Sequence, residues 1–88
     1  MEPDDFLGQL RAAGFEQVST VTREPHGALA VHTHPFEARA LILAGEISIS
    51  CAGRETVYRP GDVFHLAQAE PHSERYGPEG VRYLVGRK

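Results

Sequence analysis

The run Ala28-Leu29-Ala30-Val31-His32-Thr33-His34 decides how this chain is read. In a β-strand, side-chain direction alternates with a period of two. His32 and His34 then share one face, with Cα atoms roughly 6–7 Å apart. Two imidazoles at that spacing can converge on one transition metal through bonds of about 2.0–2.1 Å. A helix would send the two side chains from different faces. The metal reading therefore requires a strand here, and a third histidine, His72, is its candidate partner.

The sequence on either side of this run is β-like. From residue 16 onward, short β-prone runs alternate with Gly and Pro signals at near-regular spacing. Eight strands are predicted, over residues 16–22, 28–34, 38–43, 46–51, 55–59, 62–66, 73–76 and 81–86. The stretch Gly77-Pro78-Glu79-Gly80 reads as a turn. Ile47 and Ile49 alternate with Ser48 and Ser50, which gives that strand one wet face. Leu41-Ile42-Leu43 is apolar on both faces, so it should be covered by the barrel interior on one side and by a second sheet or subunit on the other. Ahead of the strands, residues 5–13 place Phe6, Leu7, Leu10 and Ala13 near one helix face, with an Asp as N-cap and Gly14 as C-cap. This short helix is expected to cover the domain rather than form its core. The expectation is an all-β sandwich or small barrel with an N-terminal helix (residues 1–14) and one β domain (residues 15–88).

Composition narrows the possible functions. The chain has 88 residues, 41% of them hydrophobic, enough for one thin-cored domain. A domain this small buries only about 60–65% of its unfolded surface, which leads us to expect a homodimer. A net charge of -3 argues against a nucleic-acid surface. No apolar run is long enough to span a membrane. The acidic start Met1-Glu2-Pro3-Asp4-Asp5 lacks the features of a signal peptide. One cysteine, Cys51, cannot form an internal disulfide, which fits a reducing cytoplasm.

His32-Thr33-His34, Gly45, Pro60-Gly61-Asp62 and His72 together resemble the two motifs of the cupin superfamily. Gly45 stands at the family distance from His34, and Gly61 and His72 match the second motif in spacing. Gly27 lies one residue too near His32, and Ala67, Ala69 and Tyr76 replace the second motif's Pro, Gly and Asn. The resemblance covers about residues 27–76. It implies a cupin-type double-stranded β-helix, an RmlC-like jelly-roll barrel, with a divalent transition metal (Zn, Fe, Mn, Ni or Cu) held by His32, His34 and His72. The family's glutamate falls on Ala38, which cannot bind metal. Its neighbour Glu37 becomes the candidate fourth ligand if Pro35 or a bulge re-aims it. Otherwise the site is three histidines and water.

Several other residues admit either a functional or a plain structural role. Arg39 is a candidate for holding an anionic substrate through its guanidinium, or else for a surface ion pair. Glu74 shares strand parity with His72 and could face the site, although a solvated carboxylate is the simpler expectation. His65 reads as a satisfied or outward residue and His26 as exposed. Cys51 reads as a core residue, and Asp62 as a turn residue bonded to backbone N–H groups. Phe36, Phe64, Tyr76 and Tyr83 are expected mainly in the core, with one or two at a pocket mouth. Two functions follow: a metal- or small-ligand-binding module, or a metal-dependent enzyme (dioxygenase, isomerase or decarboxylase) acting on a small organic acid or sugar.

Overall fold

A computed structural model describes residues 1–88. The order is α1 (Pro3–Ala12), β1 (Gln17–Arg23), β2 (Ala28–His32), β3 (Ala38–Cys51), β4 (Arg54–Tyr58), β5 (Val63–Leu66) and β6 (His72–Arg87). Every strand pairing is antiparallel. The long strands β3 and β6 pair with each other along most of their length and bend together. Residues 38–45 of β3 and 81–87 of β6 form one layer with β1 and β5 at its edges. Residues 47–51 and 72–76 form the other layer, edged by β2 and β4. The result is an all-β jelly roll in which two strands serve both sheets.

Six strands replace the predicted eight because two turn signals lie inside strands. Gly45 does not end a strand. Residues 38–43 and 46–51 join as β3, and residues 73–76 and 81–86 join as β6. The predicted turn at residues 77–80 is a bulge within β6, opposite Glu46, between the pairs Gly45↔Val81 and Ile47↔Tyr76. This bulge has a consequence for the core. Ala38, Ala40 and Ile42 point inward before it, and Ile47 and Ile49 after it. Likewise His72, Glu74 and Tyr76 are buried on one side of it, and Val81, Tyr83 and Val85 on the other. That bulge switches side-chain parity in β6, a second register shift between Ile42 and Ala44 switches it in β3, and one interior collects even-numbered and odd-numbered residues. Gly45 and Gly80 both have φ +73°, and a Cβ on Gly45 would overlap the Gly80 carbonyl oxygen. Only glycine fits that crossing.

The outer face of the first layer is covered by α1, not by a second sheet or subunit. Phe6 and Leu10 on the helix, with Phe15 and Leu41, form a second buried cluster separate from the barrel interior. This explains why Leu41 and Ile42 are both buried: they face opposite covers. The helix starts earlier than expected, with Pro3 in the first turn and Glu2 at the N-cap making no side-chain bond. It stops where predicted. Gly14 has φ +84°, its N–H donates to the Arg11 carbonyl at 3.1 Å, and the Phe15 N–H donates to the Leu10 carbonyl at 2.9 Å. That is a Schellman motif with its usual apolar contact.

Candidate metal centre

β2 and β6 supply the site. Their register sets His32 opposite His72 and Leu29 opposite Glu74, with a bulge between the two pairs. β2 ends at His32, so His34 lies beyond the strand rather than within it. It nevertheless turns back to the same place. The ring centroids of His32 and His34 are 4.8 Å apart, those of His32 and His72 4.3 Å, and those of His34 and His72 5.1 Å. Glu74 joins them from β6, two residues after His72 and on the same face. One ligand atom from each of His32, His34, His72 and Glu74 can be chosen so that all lie within 4.8 Å of one another.

Glu37 lies elsewhere. Residues 37–42 keep strict alternation, so Glu37 shares the outward side of β3 with Arg39 while Ala38 and Ala40 face the core. Pro35 does not re-aim it. Its carboxylate is 2.5 Å from His65 Nε2 and its backbone exchanges two hydrogen bonds with Lys88. The hydrogen bond from His65 holds the Glu37 carboxyl below the ordinary carboxylate range. Arg39 is likewise outside the barrel, its guanidinium 5.1 Å over the Phe15 ring. Asp62 accepts the Arg59 N–H at 2.8 Å, as its turn position suggested. Cys51 is half-buried beside Glu70, whose hydrogen bond pushes the thiol pKa up, the opposite of activation.

Glu74 is the carboxylate of the cluster, only 6% exposed, where the sequence suggested a solvated group. Its Oε1 accepts a hydrogen bond from the Tyr76 hydroxyl at 3.0 Å. Its Oε2 lies 3.2 Å from His72 Nε2 and 3.4 Å from His32 Nε2. Burial, and then the nearby Glu74 charge, push the Tyr76 hydroxyl far above its ordinary pKa, so it stays a donor. The Tyr83 hydroxyl is raised by the same two causes. His34 is held below its ordinary value, first by burial and then by the other two imidazoles. Its ring stacks on Phe36 at 4.9 Å.

The tautomers determine what the cluster can accept. His32 Nδ1 lies 2.7 Å from the Ala30 carbonyl and His72 Nδ1 lies 3.0 Å from the Glu70 carbonyl. A carbonyl only accepts, so both Nδ1 atoms carry the proton. In neutral rings, both Nε2 atoms then present lone pairs toward Glu74 Oε2. His32 Nε2 is buried with no hydrogen-bond partner, since its approach to Glu74 is misaligned for one. In that neutral state acceptors converge with no donor between them, an arrangement that a cation would satisfy. Imidazole nitrogens with one carboxylate fit a divalent transition metal, and the backbone carbonyls behind the rings are the support such ligands usually have.

A cavity of about 60 Å³ adjoins the cluster and is lined by His34 and Glu74 together with Phe36, Tyr83, Arg23 and Arg87 among others. A larger surface cleft of about 370 Å³, between Gly45, Glu46, Arg59 and Glu79, lies at the bulge and holds none of the clustered groups. Tyr76 could have been found in the sequence from the period-2 series His72, Glu74, Tyr76. Arg23 and Arg87 had no such signal.

Comparison with known proteins agrees with this architecture. A cupin domain family model matches residues 19–85, and the chain belongs to that family. No curated protein matches it. Among solved structures, a protein of unknown function from Rhizobium leguminosarum superposes with a TM-score of 0.75 at 20% identity, over 80% of this chain and 66% of that one. The polyketide cyclase RemF from Streptomyces resistomycificus gives 0.68 at 26% identity, over 80% and 52%. The DMSP lyase DddQ from Ruegeria pomeroyi gives 0.73 at 26% identity, over 81% and 36%. The chain therefore spans between about a third and two thirds of the length of these structures. No helix is long and apolar enough to cross a membrane.

Proposed function

We propose that His32, His34, His72 and Glu74 hold one divalent transition metal, and that the barrel is a metal- and small-ligand-binding module. The supporting observation is the pair of Nδ1–H groups tied to the Ala30 and Glu70 carbonyls, which turns two Nε2 lone pairs and a carboxylate oxygen onto one spot. A divalent metal in that place supplies a Lewis-acid centre able to polarise an oxygen of a bound ligand. His34 and Glu74 also line the adjoining cavity, so a ligand there would touch the same groups. Elemental analysis of the purified and reconstituted protein tests the proposal. One transition-metal ion per chain is expected, and none after reconstitution would remove the centre.

A second reading, a metal-dependent enzyme on a small organic acid or sugar, is favoured by the Tyr76–Glu74 hydrogen bond, which puts a proton donor on the cluster's carboxylate. Two structural neighbours at 26% identity are a cyclase and a lyase by name. Oxygen uptake and product analysis with small carboxylic acids and diketones decide between the readings, turnover favouring the enzyme. We also infer a cytoplasmic homodimer. Val31, 72% exposed on β2, and Val18, 42% exposed on β1, offer apolar surface for a second copy.

A further inference from the structure

Two arginines, exposed Arg23 and half-buried Arg87, line the barrel cavity without a carboxylate ion pair. Arg23 ends β1 and Arg87 ends β6. The register Arg23↔Val81, Val21↔Tyr83 and Ser19↔Val85 places Arg23 on the interior side of its strand, at the opposite end of the paired segment from Arg87. Both residues line the same cavity as His34 and Glu74. The arginine ion pairs of this protein are Arg59–Glu46 and Arg75–Glu55, both on the surface. Glu74 is the acidic residue facing the cavity, and its oxygens already meet Tyr76, His72 and His32. Arg23 and Arg87 therefore bring two positive charges to a space that holds one carboxylate.

Arg87 is also held in position. Its Nη1 donates to Ser19 Oγ at 2.8 Å, and its Cζ lies 5.4 Å over the Phe36 ring. Phe36 in turn stacks on His34, so Arg87 is tied to the cluster through one aromatic ring. An arginine fixed through one nitrogen and one face still presents its remaining N–H donors.

We propose that Arg23 and Arg87 form an anion clamp on the barrel cavity, and that the ligand of this protein is a small carboxylate. The planar fork of guanidinium matches two carboxylate oxygens. A cavity of about 60 Å³ takes the head of a small acid and not a drug-sized molecule. This deepens the small-ligand reading above, resting on the barrel being the ligand site, but it does not require the metal.

The test uses the full chain, metal-loaded and chelator-stripped, titrated with acetate, succinate, acetamide and inorganic phosphate while melting temperature and calorimetric heat are followed. Saturable stabilisation by a carboxylate and none by acetamide is expected. R23Q and R87Q should each weaken that binding by about tenfold or more, as loss of a charge-assisted contact does. Metal stoichiometry should stay at the wild-type level. R87K should lie between, since it keeps charge and loses the fork. R39Q, whose arginine stacks on Phe15 outside the barrel, should bind as wild type. Circular dichroism confirms that each variant is folded, and R23Q carries the test if R87Q is not. Equal binding by R23Q, acetamide matching acetate, or phosphate exceeding both carboxylates would overturn the clamp. Carboxylate binding intact in a wild-type chain that takes up no metal would overturn the metal centre alone and support the clamp.

Discussion

Glu74 Oε2 lies 3.2 Å from Nε2 of His72, its neighbour two residues back on the same face of β6. One stretch of strand thus delivers both a nitrogen and an oxygen donor to the barrel interior. The carboxylate that the cupin pattern would place near Ala38 comes here from a different strand. Glu74→Gln keeps the shape and removes the charge, so it should weaken metal binding by about tenfold or more. Competition with a chromophoric chelator would measure this, and an unchanged affinity would take Glu74 out of the coordination set.

His72 is 1% exposed, and its Nδ1–H is spent on the Glu70 carbonyl. His72→Ala should abolish stoichiometric metal and lower the melting temperature of the metal-loaded protein toward that of the stripped wild type, because binding free energy contributes to folding stability. Elemental analysis and calorimetry on the same sample check both parts.

Tyr76 donates to Glu74 Oε1 and is itself 8% exposed. Tyr76→Phe leaves that oxygen without its donor in a buried place. A loss of about 1–3 kcal/mol in unfolding free energy is expected. Urea denaturation of the stripped protein would show it, and a neutral change would mean that water replaces the hydroxyl.

The Glu37–His65 pair is separate from the cluster, so Glu37→Gln should leave metal content unchanged. Its effect should appear in acid. Glu37 is held below its ordinary value of 4.5 when folded, chiefly by the His65 hydrogen bond. A carboxyl with a depressed folded pKa contributes stability that is fully present above the unfolded value and is lost as pH falls through the folded one. The wild type should therefore exceed the glutamine variant near neutral pH, and the two should converge below the lowered value. Carboxyl NMR titration together with melting curves from pH 3 to 7 would test this.

Gly45→Ala should be severe, costing about 2 kcal/mol or more, because the added methyl meets the Gly80 carbonyl and φ is positive. Loss of soluble folded protein is the expected readout, and a stable variant would show that the β3–β6 crossing can shift.

The sequence shows the β class, the stop of α1 at Gly14 and the three histidines because each rests on a short-range signal: capping, turn residues or period-2 spacing. It hides the continuity of β3 and β6, since Gly45 and the Gly77–Gly80 segment look like turns. Only pairing with the opposite strand makes them a bulge. The same bulge resets parity, so Arg23, Arg87 and Glu74 reach one cavity from positions with no common spacing. Glu37 and Arg39 were the plausible carboxylate and arginine by proximity to His34. Strict alternation along residues 37–42 puts them on the outer face, Glu37 beside His65 of the neighbouring strand and Arg39 against Phe15. The cover over Leu41 was hidden for a similar reason, because sequence spacing does not reveal which distant element returns to a strand's outer face.

Long-range 1H–15N spectra of the histidine rings, recorded as Zn(II) is added to the stripped protein, bear most directly on the centre. The Nδ1–H signals of His32 and His72 should persist while both Nε2 resonances move and saturate at one equivalent. Zn(II) that leaves those Nε2 atoms unshifted, or rings protonated at Nε2 with Nδ1 bare, would contradict a metal held by this cluster.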